Sequence, residues 1–153
     1  MPVLWREISS PIGTLTLFEE DGALCQLAFG QAGTTGLPAE TPLLSLAEEQ
    51  LSGYFAGELH GFSVPLRPSG TPFQQKVWMA LQEIPWGETR TYQQLAMQIG
   101  QPQACRAVGM ANHRNPLPIF IPCHRVIGKN GTLTGYAGGL AVKQFLLELE
   151  GVR

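Results

Sequence analysis

The chain has 153 residues, of which 44% are hydrophobic and 14% charged, and its formal net charge is −2. This length suits one domain or two small ones, and so few charges beside so many apolar residues exclude a disordered chain and a coiled coil. The charge is divided unevenly, because residues 1–71 hold two basic and eight acidic side chains whereas residues 72–153 hold eight basic and four acidic ones. A basic second half indicates contact with a polyanion.

No apolar run approaches the roughly 18 residues that cross a membrane, and residues 1–7 lack the pattern of a signal peptide. We therefore expect a cytoplasmic protein with no membrane partner. The three cysteines are an odd number without a C-x-x-C motif, which favours reduced thiols over a disulfide framework or a cysteine-rich zinc site. They are Cys25, Cys105 and Cys123.

The first half predicts a small sheet and one helix. Three strand-like runs form a meander, at residues 3–8, 14–18 and 23–29. Residues 21–22 supply the hairpin signal between the last two runs. After a glycine-rich loop at 31–41, Thr41 caps a helix of regularly spaced apolar residues that ends near Gly57. A short strand is predicted at 62–66.

The second half predicts four helices. They are expected at residues 72–84, 92–99, about 103–112 and 140–149. Thr71 and Thr91 cap the first two, and Pro85 and Gly100 follow their ends. The second and third helices, joined by a tight turn, have the outline of a helix-turn-helix, whose second helix faces DNA. From these residues alone, ordinary helical packing remains an alternative.

Residues 61–71 join the halves where the charge changes sign, so we place a domain boundary there and expect domains at 1–70 and 71–153. Within the second domain, residues 119–121 predict a brief buried strand that leads to Cys123. The terminal helix is expected to bury Leu140, Phe145, Leu146 and Leu149.

Cys123 and His124 are adjacent. A cysteine is a nucleophile only as the thiolate, and a free thiol with a pKa of about 8.5 is mostly protonated at neutral pH. Neighbouring side chains on an extended backbone point to opposite faces, so contact between these two requires a bend or a bridging water. Glu150 on the terminal helix is a candidate to orient the imidazole. A catalytic cysteine and a buried thiol beside an unrelated histidine both remain open at this point.

Five motifs follow one another in the second half of the chain. They are GTPF at 70–73, TYQQLA at 91–96, RAVG at 106–109, NPLPIFIPCHRV at 115–126 and GYAGG at 135–139. With the Pro85-x-Gly87 turn, Lys143 and Glu150-Gly151, the pattern covers about residues 70–152. This order resembles the O6-alkylguanine-DNA alkyltransferase family, and the first half is similar to the ribonuclease-H-like scaffold of that family. The resemblance implies an α/β ribonuclease-H-like N-terminal domain and a mostly α, winged-helix or helix-turn-helix, C-terminal domain.

The resemblance implies DNA repair by direct, irreversible transfer of an alkyl group, such as methyl, from O6-alkylguanine to the thiolate of Cys123. Each molecule would act once, after flipping the base out of double-stranded DNA from the minor groove. His124, through a water, and Glu150 would deprotonate the thiol, while Asn115 holds the active-site turn and Tyr92 donates to guanine N3. The partner is duplex DNA that contains the lesion, bound by a monomer that can assemble cooperatively.

The resemblance also assigns DNA contacts and a substrate pocket. Arg106 is the finger that fills the place of the flipped base. Further DNA contacts are expected from Thr91, Ala107, Gly109 and Arg114. The pocket is expected to involve Pro118, Tyr136, Gly138, Gly139 and Lys143, the lysine supporting the active-site loop. Arg125 is expected to pin local structure.

No cofactor is expected, because O-alkylation already activates the guanine as a leaving group. Some family members carry an N-terminal zinc site, but the first half of this chain offers only Cys25 and His60 for one, so no metal is expected. The chain departs from many relatives at residues 112–114, which leaves the contacts near that corner open.

Three other functions compete with this hypothesis. A binding-only relative would mark lesions without repairing them, but such proteins replace the nucleophile, and Cys123 is present. A helix-turn-helix regulator would prefer a defined sequence over a lesion. A Cys-His-Glu hydrolase would turn over many times on an ester or amide.

Overall fold

The computed structural model of the protein describes residues 3–31 and 36–152. The chain divides into two compact units, the first ending at Ser69 and the second beginning at Gly70. Each unit buries its own set of apolar side chains. Within the described ranges, no helix is long and apolar enough to span a membrane.

The first unit is a four-stranded mixed sheet with one helix. Its elements are β1 (Leu4–Ser10), β2 (Gly13–Glu20), β3 (Ala23–Phe29), β4 (Leu37–Pro38) and α1 (Pro42–Phe55). The strand order is β3-β2-β1-β4, with β1, β2 and β3 antiparallel and β4 parallel to β1. Helix α1 packs on the sheet through residues three and four apart, which form one buried stripe: Leu44, Ala47, Leu51 and Tyr54.

The predicted meander and helix are confirmed in this unit. Asp21 and Gly22 both have positive φ, 51° and 78°, as a tight hairpin between twisted strands requires. Thr41 accepts a hydrogen bond from the Leu44 amide at 3.0 Å, and Pro42 supplies the first helical turn.

Two predictions for the first unit are wrong. The loop at 31–41 contains β4, and part of it, residues 32–35, lies outside the described residues. Residues 62–66 form an extended segment with a single bridge, Leu24 to Leu66, in place of a strand. Pro65 accepts from the Leu24 amide at 2.9 Å but has no N–H to return, which limits the ladder.

The second unit is mostly helical. Its elements are α2 (Pro72–Leu81), β5 (Arg90–Thr91), α3 (Tyr92–Gln98), α4 (Cys105–His113), a 3₁₀ turn (Cys123–Arg125), β6 (Val126–Ile127) and α5 (Leu140–Leu149). Helices α2, α3 and α4 pack against one another, and the buried Trp78 donates its indole N–H to the Ala111 carbonyl at 2.8 Å. The predicted caps Thr71 and Thr91 are confirmed, and the structure adds that each forms a complete capping box at the start of α2 and α3. The short strands β5 and β6 pair in parallel.

Two segments of this unit differ from their predictions. Helix α2 ends at Leu81, and turns lead on to Pro85. Residues 119–121 belong to a tight turn and not to a strand: the Ile121 amide donates to the Leu117 carbonyl at 2.8 Å, and Ile119 has φ 76°. The flanking prolines deprive a ladder of donors, and a short apolar run does not by itself distinguish a buried turn from a buried strand.

The terminal helix has the predicted bounds, and of the four residues predicted to be buried Leu146 is confirmed and the other three are not. Lys143, Leu146 and Leu147 are buried, whereas Leu140 is 50% exposed and Phe145 37% exposed. Leu149 is partly exposed. Choosing the buried face of this helix by its apolar residues fails because the charged residue Lys143 is enclosed by the second unit.

Candidate active site

Cys123 begins the 3₁₀ turn, and the chain runs directly from this turn into β6. Asn115 braces the preceding segment, accepting from the Leu117 amide at 2.9 Å and donating to the Ile121 carbonyl at 2.8 Å. Asn112, at the end of α4, contacts the Cys123 carbonyl at 3.4 Å. These bonds hold the segment around Cys123, a residue that is 4% exposed.

A buried carboxylate organises the two residues after Cys123. Glu150 Oε2 lies 2.7 Å from His124 Nε2. Arg125 donates from Nε to Glu150 Oε1 at 2.8 Å and from Nη2 to Oε2 at 2.9 Å, and its Nη1 donates to the Ile84 carbonyl at 2.6 Å. Because residues 123–125 form a 3₁₀ turn and not an extended strand, the neighbouring side chains His124 and Arg125 reach the same carboxylate.

The surroundings of His124 favour a neutral ring with a free lone pair. Burial lowers the pKa of His124, and the hydrogen bond and charge of Glu150 oppose that effect. Since a carboxylate only accepts, the ring hydrogen sits on Nε2 and points at Glu150. Nδ1 is buried and has no hydrogen-bond partner among the described residues. The imidazole is therefore set up to accept a proton at Nδ1.

The thiol itself is held in its protonated form. Burial raises the pKa of Cys123 to about 11, opposed by a hydrogen bond with Asn115 and by the positive charge of Lys143. At neutral pH the sulfur is almost entirely protonated, so this site requires a base to generate the nucleophile.

Lys143 on α5 anchors the segment that follows β6. Its ammonium is buried and donates to the Val126 carbonyl at 2.6 Å and the Thr134 carbonyl at 3.3 Å. Burial lowers its pKa to about 8, with the Cys123 thiolate charge acting in the opposite direction. Thr134 also forms a side-chain hydrogen bond with the Tyr92 hydroxyl at the start of α3. Sequence reasoning missed Thr134, whose only signal was its place beside the GYAGG motif.

The residues expected to contact DNA lie on or next to α3 and α4. Arg106, Ala107 and Arg114 are exposed. Gly109 faces the Tyr92 ring, since a methyl group in its place would lie 3.8 Å from the ring carbons. Thr91 caps α3 through its hydroxyl, which accepts from the Gln94 amide at 3.1 Å.

The expected pocket residues lie on two segments of the second unit. Pro118 is buried in the tight turn before Cys123, and Tyr136 is buried in the segment before α5. Gly139 begins α5 with φ 94°, a conformation that favours glycine, and its amide donates to the Tyr136 carbonyl at 2.9 Å. Gly138 is partly exposed beside it.

In the first unit, the side chains of Cys25 and His60 each contact a backbone carbonyl. The Cys25 thiol contacts the Phe18 carbonyl at 3.5 Å, and His60 Nε2 contacts the Gly57 carbonyl at 3.3 Å. Throughout the described ranges, no group of three or more histidine, cysteine, aspartate or glutamate side chains is placed to hold a metal ion.

Comparison with known proteins identifies the family. The model for the DNA-binding domain of 6-O-methylguanine DNA methyltransferase matches residues 72–152, and the model for the ribonuclease-like domain of the same enzyme matches residues 3–68. This chain belongs to the O6-methylguanine DNA methyltransferase family.

Individual methyltransferases resemble the chain along most of its length. The constitutive methylated-DNA–protein-cysteine methyltransferase of Bacillus subtilis is 51% identical over 150 residues, covering 92% of this chain and 91% of that protein. A methylated-DNA–protein-cysteine methyltransferase of Methanosarcina acetivorans is 65% identical over 105 residues, or 69% of this chain and 67% of that one.

Solved methyltransferase structures share the fold. A crystal structure of the Mycobacterium tuberculosis O6-methylguanine methyltransferase has a TM-score of 0.89 at 50% identity, covering 97% of this chain and 92% of that one. Mycobacterium tuberculosis OGT in complex with DNA also has a TM-score of 0.89, at 52% identity, with 96% and 92% covered. These findings confirm the resemblance and the fold class, a ribonuclease-like α/β domain followed by a helical DNA-binding domain.

Proposed function

We propose that Cys123 is the residue to which this O6-methylguanine DNA methyltransferase transfers the methyl group, from O6 of guanine in double-stranded DNA, once per molecule. One observation carries the proposal: the buried Cys123 is followed by a buried His124 whose Nε2 is held by Glu150 and whose Nδ1 has no hydrogen-bond partner among the residues that the structure describes. By contrast, the Cys25 thiol is directed at a backbone carbonyl.

The first step is removal of the thiol proton. With a pKa of about 11, Cys123 supplies little thiolate at rest. His124 Nδ1 takes the proton through a bridging water, and the Glu150 carboxylate stabilises the imidazolium that forms. Arg125 keeps that carboxylate fixed through two hydrogen bonds, so the ring is already oriented when the substrate arrives.

In the second step the sulfur attacks the methyl carbon in line with the bond to O6. The new carbon–sulfur bond forms as the carbon–oxygen bond breaks, and the electron pair of that bond passes to the guanine. Tyr92 donates a hydrogen bond to guanine N3 and stabilises this charge. The guanine then regains a proton at N1, so a thiol and O6-methylguanine become S-methylcysteine and guanine, and nothing else is consumed.

The lesion has to leave the duplex to reach this thiol. A base in the stack does not expose O6 to a buried sulfur, so the nucleotide is flipped into the pocket at a cost of a few kcal/mol. Arg106, exposed near the start of α4, fills the gap from the minor groove. Thr91, Ala107, Gly109 and Arg114 support the DNA. The pocket is formed by Pro118, Tyr136, Gly138, Gly139 and Lys143.

In this proposal residues 71–153 carry the DNA contacts and the chemistry, and residues 1–70 serve as a scaffold. The protein acts as a monomer that can assemble cooperatively on DNA, and it works in the cytoplasm, where its three free cysteines stay reduced. Sedimentation with undamaged duplexes of increasing length tests the assembly, since a cooperative binder fills long duplexes before short ones are saturated.

Mass spectrometry tests the nucleophile. The protein is incubated with a duplex that contains one O6-methylguanine, and its intact mass and peptides are measured. We expect a gain of one CH2 unit on the peptide that contains Cys123, complete at one equivalent of lesion. The Cys123→Ser variant should show no gain, whereas Cys25→Ser and Cys105→Ser should behave like the wild type.

Other results of the same assay would overturn the proposal. A methyl group on Cys25 or Cys105 would reassign the nucleophile. Tight lesion binding without a mass gain would favour a binding-only protein, and repeated turnover on an ester would favour a hydrolase.

A second assay tests Arg106. The Arg106→Ala variant should repair O6-methylguanine in duplex DNA about tenfold more slowly or worse, because base flipping costs a few kcal/mol. Its reaction with free O6-benzylguanine should be unchanged, since that substrate needs no flipping. Lys76→Ala on α2 is the matched control, an exposed residue with the same loss of charge. Equal slowing on both substrates would reject the finger role.

A further inference from the structure

We propose that Thr134 is a positioning residue that aligns and polarises the Tyr92 hydroxyl for donation to N3 of the departing guanine. The inference rests on the proposed function, in which Tyr92 makes that donation. It starts from the side-chain hydrogen bond between Tyr92 Oη and Thr134 Oγ1, which joins residues 42 positions apart in the sequence.

The chemistry of the two hydroxyls fixes the direction of this bond during the reaction. A phenol hydroxyl has one hydrogen to donate and accepts through its oxygen. Once that hydrogen is directed at guanine N3, the bond between the two residues persists only if Thr134 donates to Tyr92 Oη. A phenol that accepts a hydrogen bond is a stronger donor, because linked hydrogen bonds polarise one another. Thr134 therefore strengthens the donation to N3 as well as aiming it.

Both partners are held by the surrounding structure. The Thr134 carbonyl accepts from the buried Lys143 ammonium at 3.3 Å. The Thr134 methyl group packs so closely on Gly128 that an added Cβ there would lie 3.3 Å from it. Tyr92 directly follows β5, which pairs with β6, and its ring lies against Gly109 of α4. The alignment is therefore present before DNA binds.

Two substitutions separate the hydroxyl from the shape of the side chain. Thr134→Val keeps the branched shape and removes the donor, whereas Thr134→Ser keeps the donor and removes the methyl group. Thr132→Val is the matched control, because Thr132 is an exposed threonine two positions earlier on the same segment.

The test compares single-turnover repair of two duplexes, one with O6-methylguanine and one with 3-deaza-O6-methylguanine, in which a C–H replaces N3. Thr134→Val should slow repair of the natural lesion about three- to tenfold, the effect of one hydrogen bond. It should leave the rate on the 3-deaza lesion unchanged. Thr134→Ser should restore the natural rate, and Thr132→Val should match the wild type on both duplexes.

A double variant supplies the final criterion. Tyr92→Phe should slow only the natural lesion, and adding Thr134→Val should slow it no further, because Thr134 acts through the tyrosine. Unchanged repair by Thr134→Val, equal slowing on both duplexes, or additive losses would each overturn the inference. If Tyr92→Phe instead slows both duplexes equally, it is the role of Tyr92 in the proposed function that fails.

Discussion

The two units bury different kinds of side chain. Within the described ranges, the first unit buries an apolar core and the polar residue Thr16, whose hydroxyl donates to the Gly30 carbonyl at 2.8 Å. The second unit encloses six polar or charged residues, which are Asn112, Asn115, His124, Arg125, Lys143 and Glu150. Buried ions cost several kcal/mol each in desolvation unless they are well paired. The second unit thus surrounds the buried Cys123 with polar groups of a kind that the core of the first unit omits.

Ion pairs show the same contrast. In the first unit Arg6 lies 2.9 Å from Glu48, with the two side chains 28% and 36% exposed. In the second unit Arg125 lies 2.8 Å from Glu150, with side chains 8% and 0% exposed. Distance barely distinguishes the two pairs, so solvent exposure is the variable that the following predictions test.

The largest effect is expected from Glu150→Gln. This change leaves the buried Arg125 without its charged partner, and breaking such a pair costs about 3–5 kcal/mol of unfolding free energy. Urea denaturation at pH 7 measures it, and a repair assay should show loss of methyl transfer because His124 loses its orienting carboxylate.

The control lies on the same helix. Glu148 is exposed and accepts from Gln144 at 2.9 Å, so Glu148→Gln should stay within about 0.5 kcal/mol of the wild type. Equal losses of unfolding free energy in the two variants would mean that burial does not raise the cost of removing the Glu150 charge.

The sequence predicts the fold where local signals agree with the tertiary structure. The capping threonines of α1, α2 and α3 and the hairpin turn at residues 21–22 are confirmed because each depends on backbone atoms a few residues away. The strand at 62–66 and the buried face of α5 are wrong because they depend on distant partners, the single bridge at Leu24 and the carbonyls that enclose Lys143.

In the candidate site, too, residue types can be recognised from the sequence, whereas contacts between distant residues cannot. Cys123, His124 and Glu150 are found from residue type and family resemblance, and the structure brings His124 and Glu150 into contact. The 3₁₀ turn that lets Arg125 share the carboxylate is not encoded in any short pattern. Thr134 meets Tyr92 across 42 positions, a pairing that only the fold creates.

The next prediction compares the loss of unfolding free energy when one buried polar side chain is removed from each unit. Asn115→Ala leaves the buried Leu117 amide without the side-chain oxygen to which it donates and removes one of two donors to the Ile121 carbonyl, which keeps the Cys123 amide. The change should cost about 2–3 kcal/mol. Thr16→Val keeps the shape of the side chain and loses the hydrogen bond to the Gly30 carbonyl, so it should cost about 1 kcal/mol. Thermal and urea unfolding of both variants check the difference. If Thr16→Val is as costly as Asn115→Ala, the polar groups of the second unit are not the more constrained ones.

A pH dependence follows from Lys143. Its pKa in the folded protein is about 8, against 10.5 for the unfolded chain, so between these values the unfolded state binds more protons. Stability contributed by this group therefore rises with pH across that window, by up to about 1.4 kcal/mol per pH unit. Lys143→Met should remove the rise.

The pH experiment needs two controls. All proteins carry Cys123→Ser, since the raised pKa of the thiol would act in the opposite direction between pH 9 and about 11. Lys129→Met, an exposed lysine in the turn after β6, should retain the rise seen with Lys143 intact. A flat difference between the Lys143 and Lys129 variants from pH 8 to 10.5 would show that the ammonium is not held in a desolvated site.

The smallest effect is expected at the surface pair of the first unit. A double-mutant cycle with Arg6→Gln and Glu48→Gln should give a coupling of about 0–1 kcal/mol, because solvent screens both groups. That coupling should fall toward zero in 1 M salt, where the screening length is about 3 Å. The cost of Glu150→Gln should persist in the same salt, since ions do not reach a side chain that is 0% exposed. A coupling of several kcal/mol between Arg6 and Glu48 that survives high salt would show that solvent exposure does not explain the difference in strength between the two ion pairs.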